Sequence, residues 1–383
     1  MTFPSYGTGN GETGVGDEPE RVLVVNAGST STKLAIVDRE GSTTWSCDVE
    51  PGVEPMQRAL APAGAALDHV AAVGHRVVHG GARFTAPVLV DDSVMSDIAA
   101  LVDLAPLHNE AGLAAMRAAR ERLPGVPHVA CFDTAFHATI PEAARTYGGP
   151  YEWLDDGLRR YGFHGLSHEY AAGRAAAMLG VAVTEVRLVT CHLGGGCSLA
   201  AVDRGRSIDT TMGFTPLDGL VMATRSGSVD PGLLLHLLRG GVAVDELDDT
   251  LERRSGWLGL SGVSGDLREV LSARDEGNER ARLAVDVFVH RLVGGIATMA
   301  ASLGGVDALV FTGGVGERSA EVRARAAAAS AWWGVSLDPA ANDATSSEDA
   351  DVSGRDAGVR VLVVVAREEV VIARLTRSLL ASR

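Results

Sequence analysis

From Arg21 the chain reads VLVVNAGSTSTKLAIVDREG: an apolar run, a turn of Gly, Ser and Thr, a second apolar run to Asp38, then Gly41. Apolar runs bounded by turn residues predict a β-hairpin whose bend, Gly28 to Thr32, exposes backbone N–H groups and hydroxyls. The same order returns in VRLVTCHLGGGCSLAAVDRG, with Gly194 aligned to Gly28 and Val202-Asp203-Arg204 to Val37-Asp38-Arg39 after one gap. Such self-similarity predicts a duplicated unit. A third apolar run with a glycine turn, ALVFTGGVGERS (308–319), leads into the Ala-rich VRARAAAASAWW, which predicts a helix. Helical patterns fill the intervals, as in HNEAGLAAMRAARERL, HEYAAGRAAAMLG and ARLAVDVFVHRLVGGIATMAASL. The chain is therefore read as α/β throughout. Residues 1–20, rich in Gly, Thr and acids, offer little to bury and predict a disordered extension. The charged stretch RDEGNERAR (274–282) is read as a solvated turn or helix face.

Composition narrows the function. The net charge of −15 has the wrong sign for a protein that neutralises nucleic-acid phosphates or anionic lipids, so neither partner is expected. No run is read as reaching the roughly 18 apolar residues of a membrane span, and the N-terminus lacks a signal-peptide pattern. Four cysteines without a C-x-x-C pair suggest neither a disulfide framework nor zinc, and fit a reducing, cytoplasmic setting. Of the 34 basic residues, Lys33 is the only lysine.

Three glycine turns after apolar runs suggest a polyphosphate site, because glycine lets the backbone approach and its exposed N–H groups bind anions. None matches the P-loop pattern, and G-x-G-x-x-G does not stand at a strand-to-helix turn. The expectation is a nucleotide site assembled from separated turns. Between them the chain is dense in His and Arg beside small residues: GHRVVHGG (74–81), LAPLHN (104–109), FDTAFH (132–137), RRYGFHGLSH (159–168) and GFTPLDGLVMATRSGSVDP (213–231).

With these blocks in this order, from about Val22 to Arg374, the chain resembles the acetate and propionate kinase family, within the superfamily of actin, hexokinase and the heat-shock ATPases. The resemblance implies two duplicated actin-like (ribonuclease H-like) domains with an active-site cleft between them. The boundaries expected are 21–151 plus 369–383 for the N-terminal domain and 152–368 for the nucleotide-binding domain. NAGSTSTK is similar to the family's phosphate turn, implying metal and phosphate contacts for Asn26 and phosphate contacts for Ser29, Ser31 and Lys33. Arg76 resembles the arginine that holds the substrate carboxylate. Asp133, His164 and Arg225 match catalytic positions, and Val78, Leu107, Phe163 and Pro216 the methyl pocket. Nucleotide contacts are implied for His192, Leu193, Gly194, Gly195 and Gly196, for Asp266, Leu267 and Arg268, and for Gly314, Val315, Gly316, Glu317 and Arg318. Glu368, in AREEVVIAR, is implied at Mg²⁺ or Mn²⁺. A homodimer is implied too.

The chemistry agrees with that assignment. Transfer of a phosphoryl group to a carboxylate brings anions together, and positioning with charge neutralisation supplies most of the catalysis. Arginine suits a carboxylate because its planar fork donates two parallel hydrogen bonds. The expected reaction converts ATP and acetate reversibly to ADP and acetyl phosphate. One methylene is worth only about 1–3 kcal/mol in an apolar pocket, so propionate or butyrate remains an alternative acceptor, as does another phosphoryl donor. A catalytically silent nucleotide or acyl-phosphate binder is the alternative of another class. It draws on two departures from the family pattern, Gly195 for Asn and Leu166 for Thr; two more, Arg318 for Asn and Arg367 for Asn, bear on nucleotide preference rather than on the reaction.

Overall fold

The computed structural model describes residues 20–28, 31–50, 52–60, 67, 69–101, 106–345 and 348–383. The expected extension at 1–20 falls, except for Glu20, outside the described residues. Two compact units emerge: residues 1–138, 163–170 and 367–383 form one, and residues 139–162 with 171–366 the other.

The first unit is built on a six-stranded sheet of β1 (Val22–Ala27), β2 (Thr32–Val37), β3 (Thr43–Val49), β4 (Ala72–Val77), β5 (Val88–Leu89) and β6 (His128–Phe132). Its order is β3-β2-β1-β4-β6-β5. The expected hairpin is β1 with β2, antiparallel from Val22↔Val37 to Ala27↔Thr32. β4 then runs parallel to β1, and β6 parallel to β4. Strands buried on both faces need apolar residues at every position, which explains the unbroken run in β1. Leu23 and Val25 face Met56, Leu60, Ala115 and Ala119 of two helices, while Val22 and Val24 face Val371, Ile372 and Ala373 of the C-terminal helix Glu368–Ala381.

The second unit repeats the plan. β7 (Arg187–Leu193), β8 (Cys197–Asp203), β9 (Arg206–Thr210), β10 (Ala308–Thr312), β11 (Ala350–Asp351) and β12 (Arg360–Val363) lie in the order β11-β12-β10-β7-β8-β9. Read from its other edge, that is third, second, first, fourth, sixth, fifth, the order of the first sheet. The pairings match as well: β7–β8 and β8–β9 antiparallel, β7–β10 and β10–β12 parallel, β11–β12 antiparallel. The α/β duplication read from two glycine turns thus extends to whole sheets.

Two local expectations change. The third glycine turn is itself helical over Gly313–Arg318, followed after Ser319 by the Ala320–Ala329 helix. The Glu279–Leu303 helix has a window of mean hydropathy 1.5, long and apolar enough by composition to cross a membrane, contrary to the reading of no such segment. Its Ala284, Val285, Phe288, Leu292, Ile296 and Met299 are buried in this fold, and it packs on β7, β8 and β9, so one face of it belongs to the core. Its start, within RDEGNERAR, is a solvated turn: Gly277 adopts φ +92, Asn278 caps the helix, and Arg282 pairs with Glu279 and Asp286 at the surface.

Candidate active site

In the first unit, five sequence-selected residues converge where β1, β4 and β6 end. Arg76, on β4, spans two partners. Its Nε and Nη2 donate to the Asp133 carboxylate at 3.0 and 2.6 Å, and Nη1 donates to Asn26 Oδ1 at 3.1 Å. Asn26, on β1, donates through Nδ2 to Glu368 Oε2 at 2.8 Å. The parallel register of β1, β4 and β6 sets these side chains on neighbouring strand ends, and Glu368 arrives on the first turn of the C-terminal helix. An acid there is favoured by the helix dipole.

Asp133 is 1 % exposed. Burial raises its pKa and Glu368 adds to that, while Arg76 and the backbone N–H of His164 oppose the rise; the net direction is upward. Burial acts against the Arg76 charge as well, yet Asp133 and Glu368 together hold its pKa above the ordinary guanidinium value. One guanidinium thus faces two carboxylates, hydrogen-bonded to Asp133 and held electrostatically by Glu368.

His164 sits in a left-handed conformation, φ 56, at the start of the Gly165–Met178 helix. Gly165 follows because the backbone passes close: its N–H donates to the Asp133 carbonyl at 2.9 Å, and an added Cβ would meet that oxygen at 2.1 Å. This contact and buried Leu166 tie the 163–170 segment to the first unit. Leu166, noted as a departure, is therefore a core residue. Val78 and Phe163, expected around a methyl group, are buried, and the Phe163 ring stands edge-on to His79. Leu107 belongs to the Pro106–Arg122 helix, but its side chain is outside the described residues. Ser29 is outside them too. Ser31 and Lys33 flank and enter β2, where Lys33 pairs with Asn26 in register and points outward.

In the second unit the two remaining glycine turns meet. The hairpin turn Gly194-Gly195-Gly196 joins β7 to β8, and the parallel register Thr312↔His192 sets the end of β10 beside it. A Cβ on Gly194 would lie 3.9 Å from both the Gly314 nitrogen and His192 Nε2. Gly313, at φ +77, is pressed so close to Leu193 that a Cβ would stand 2.7 Å from its carbonyl oxygen. Ligands of open α/β sheets bind beyond the carboxyl ends of parallel strands, which is where these turns lie. Thr312 Oγ1 is buried there without a hydrogen-bond partner.

The other sequence-selected residues divide by exposure. Gly195, Gly314, Arg268 and Arg318 face solvent, and Val315 is half-buried; Leu193, Leu267 and Gly316 are packed into the core. Asp266 caps the Leu267–Asp275 helix and pairs with Arg268. The segment reaches the glycine turns through Gly265, packed on Ala223 and Thr224, while Ala223 N donates to the Gly195 carbonyl at 3.0 Å. Glu317 Oε1 accepts from the Ala366 N–H at 2.9 Å. Arg225, half-buried, donates to the Pro216 carbonyl at 2.8 Å, and burial lowers its pKa against the pull of Glu252. Among the described residues no cluster of three His, Cys, Asp or Glu could hold a metal.

The acetokinase family model matches residues 46–374. The chain belongs to the acetokinase family. Acetate kinase of a Synechococcus strain is 48% identical over 94% of this chain and 99% of its own, and that of Gloeobacter violaceus is 56% identical over 79% and 75%. Among solved structures, Porphyromonas gingivalis acetate kinase superposes with TM-score 0.87 at 36% identity, covering 94% of this chain and all of the other. A propionate kinase from Francisella tularensis reaches 0.87 at 35% identity, covering 94% and 99%.

Sequence reasoning within this acetokinase-family chain missed the supports of the site. Asn109 is 1 % exposed; it accepts from the His79 N–H at 3.1 Å and donates to the His79 carbonyl, holding the segment after β4. Arg160 donates to the carbonyls of Thr210, Thr211 and Met212, just before Pro216. Arg323 and Asn342 brace the third turn. Asn109 and Arg160 stand within the blocks LAPLHN and RRYGFHGLSH, but all four bond mainly to backbone groups brought near by folding, so no local pattern marked their role.

Proposed function

We propose that this chain is an acetate kinase, transferring the γ-phosphoryl group of ATP to acetate to give ADP and acetyl phosphate, and running in reverse. The observation that carries this is the Asn26–Arg76–Asp133–Glu368 constellation, in which a guanidinium fork and two carboxylates are joined by hydrogen bonds around a buried Asp133. Arg76 orients the substrate carboxylate, which is ionised at neutral pH and needs no general base. His164 and Arg225 neutralise charge on the transferring group, and Asp133 orients Arg76. The second unit holds the nucleotide through His192–Gly196, Asp266–Arg268 and Gly314–Arg318, with Ser29, Ser31 and Lys33 contributing to phosphate binding. For the core leucines Leu193 and Leu267, that contribution is through backbone.

Magnesium prefers oxygen ligands and needs only one or two carboxylates when phosphates complete its shell. Asn26 Oδ1, which accepts from Arg76, and the Glu368 carboxylate, which accepts from Asn26 Nδ2, fit that donor set, and Asp133 is bonded to the same Arg76. When bound, the ion would offset phosphate charge. We assign recognition of the substrate methyl group to Val78, Leu107, Phe163 and Pro216. We further place the enzyme in the cytoplasm, in line with its four free thiols, and assign it a homodimer. Leu233 and Leu235, about half exposed on the Pro231–Arg239 helix, give a second copy apolar surface to cover.

Propionate is the second reading for the acceptor, favoured by the equal superposition on a propionate kinase. Hydroxamate trapping of acyl phosphate formed from Mg-ATP with acetate, propionate or butyrate tests both. The expected result is highest kcat/KM with acetate and loss of product in Arg225→Ala. No product above that variant would reject the kinase assignment, and a higher kcat/KM for propionate would replace the acceptor.

A further inference from the structure

Arg323, in the first turn of the Ala320–Ala329 helix, is fully buried at 0 % exposure. Removing a guanidinium from water is costly unless its donors and charge are compensated. Here the donors go to neutral oxygens. Nε donates to Asn342 Oδ1 at 2.7 Å, Nη2 to the Asn342 carbonyl at 2.8 Å, and Nη1 to the carbonyls of Gly316 and Glu317 at 2.9 and 2.7 Å. Asn342, 1 % exposed, completes the set by donating Nδ2 to the Ala320 carbonyl at 2.9 Å.

The carbonyls of Gly316 and Glu317 belong to the Gly313–Arg318 helix, near the end where helical carbonyls lack partners and partial negative charge collects. A cation there satisfies both needs at once. The turn is consequently fixed at both ends: Gly313 against the Leu193 carbonyl, and Gly316 and Glu317 by Arg323. Between them Gly314 is exposed, beside Gly194 of the other turn. A core-filling Leu or Met would avoid the desolvation. What arginine adds is a rigid fork that reaches two carbonyls of one turn and two oxygens of one asparagine.

We propose that Arg323, braced by Asn342, is a positioning residue that holds the Gly313–Arg318 turn in the geometry that receives the phosphoryl donor. It sets nucleotide affinity without touching the nucleotide and leaves the carboxylate site unaffected. The proposal rests on the reading of this turn as part of the nucleotide site.

The test measures KM for ATP and for acetate, and Kd for ADP by calorimetry, in Arg323→Lys, Asn342→Ala, Gly314→Ala and Arg377→Lys. Arg377 is a matched control, a buried arginine of the first unit bonded to the Val37 and Asp38 carbonyls. Arg323→Lys should raise KM for ATP and Kd for ADP roughly tenfold, the scale on which small misplacements act, with KM for acetate unchanged. Asn342→Ala should move the ATP values in the same direction by less, and carries the test if Arg323→Lys does not fold. Arg377→Lys should lower the melting temperature without separating the two KM values. Gly314→Ala adds a Cβ that meets nothing within 4 Å in the protein, so a weaker Kd there reports contact with the nucleotide. If Gly314→Ala weakens ADP binding while the Arg323 and Asn342 variants do not, the positioning role is overturned and the nucleotide turn stands. If none of the three changes Kd, the turn is not part of the nucleotide site. Equal increases in both KM values overturn the proposal in favour of a purely structural arginine.

Discussion

At Arg76 three donor nitrogens bonded to two side chains depend on the planar fork, which lysine cannot reproduce although it keeps the charge. Arg76→Lys should lower kcat/KM for acetate by about a hundredfold while changing Kd for ADP by less than about threefold. Steady-state kinetics and calorimetry on the same preparation check this; parallel losses for both substrates would assign Arg76 a structural role. Much of this scale was legible in the sequence. Asn26, Arg76, Asp133 and Glu368, chosen from four separate blocks, meet within hydrogen-bond distance. Their supports were not legible, because Asn109, Arg160 and Arg323 act on backbone carbonyls and amides that carry no residue identity.

Among the elements, β4 and β6 share a second polar pair behind the site. His75 Nε2 lies 2.9 Å from His128 Nδ1, and His128 Nε2 lies 3.0 Å from the Leu123 carbonyl. A carbonyl only accepts, so His128 carries its proton on Nε2, His75 donates through Nε2, and His75 Nδ1 is buried without a partner. Burial, followed by His128 and Arg120, lowers the pKa of His75, and burial with Arg120 lowers that of His128 against the pull of the Leu123 carbonyl. Both rings therefore take up protons more readily unfolded than folded. Their stabilisation is complete above the ordinary histidine value of about 6.5 and is lost as pH falls below it, by at most about 1.4 kcal/mol per pH unit for each ring. Melting temperature should fall between pH 7 and 5, and less steeply in His75→Asn/His128→Asn; an equal slope in that variant would trace the acid lability elsewhere. The pair was invisible in the sequence because its members come from two strands 53 residues apart.

For the whole molecule, the thiols report on packing in both units. Burial pushes Cys131 and Cys197 up to about 12 and Cys191 higher still, while Cys47 is half-buried on β3. Only the thiolate reacts readily, so a disulfide reagent at pH 8 should titrate Cys47 in the native protein and the other three only on unfolding. Fast labelling of more than one thiol would show that one unit opens below the global transition. The duplication belongs to this scale as well. Two glycine turns and a Val-Asp-Arg triplet marked it in the sequence, and the matching order of all six strands in each sheet bears it out.

The sequence by itself determined the strands beside the glycine turns, β1, β2, β7, β8 and β10, together with the duplication and the chemistry-bearing residues, because apolar periodicity and turn residues act over a few positions. It also carried the family resemblance. The tertiary structure decided which of those residues meet and what holds them. Parallel register joined Asn26 to Arg76 and Arg76 to Asp133, and a helix near the chain's end brought Glu368 to Asn26 across 342 residues. It also decided the environment of each charge, since the burial that shifts Asp133, His75 and Arg323, and the carboxylates that raise Arg76 against its burial, are properties of packed neighbours rather than of residue type.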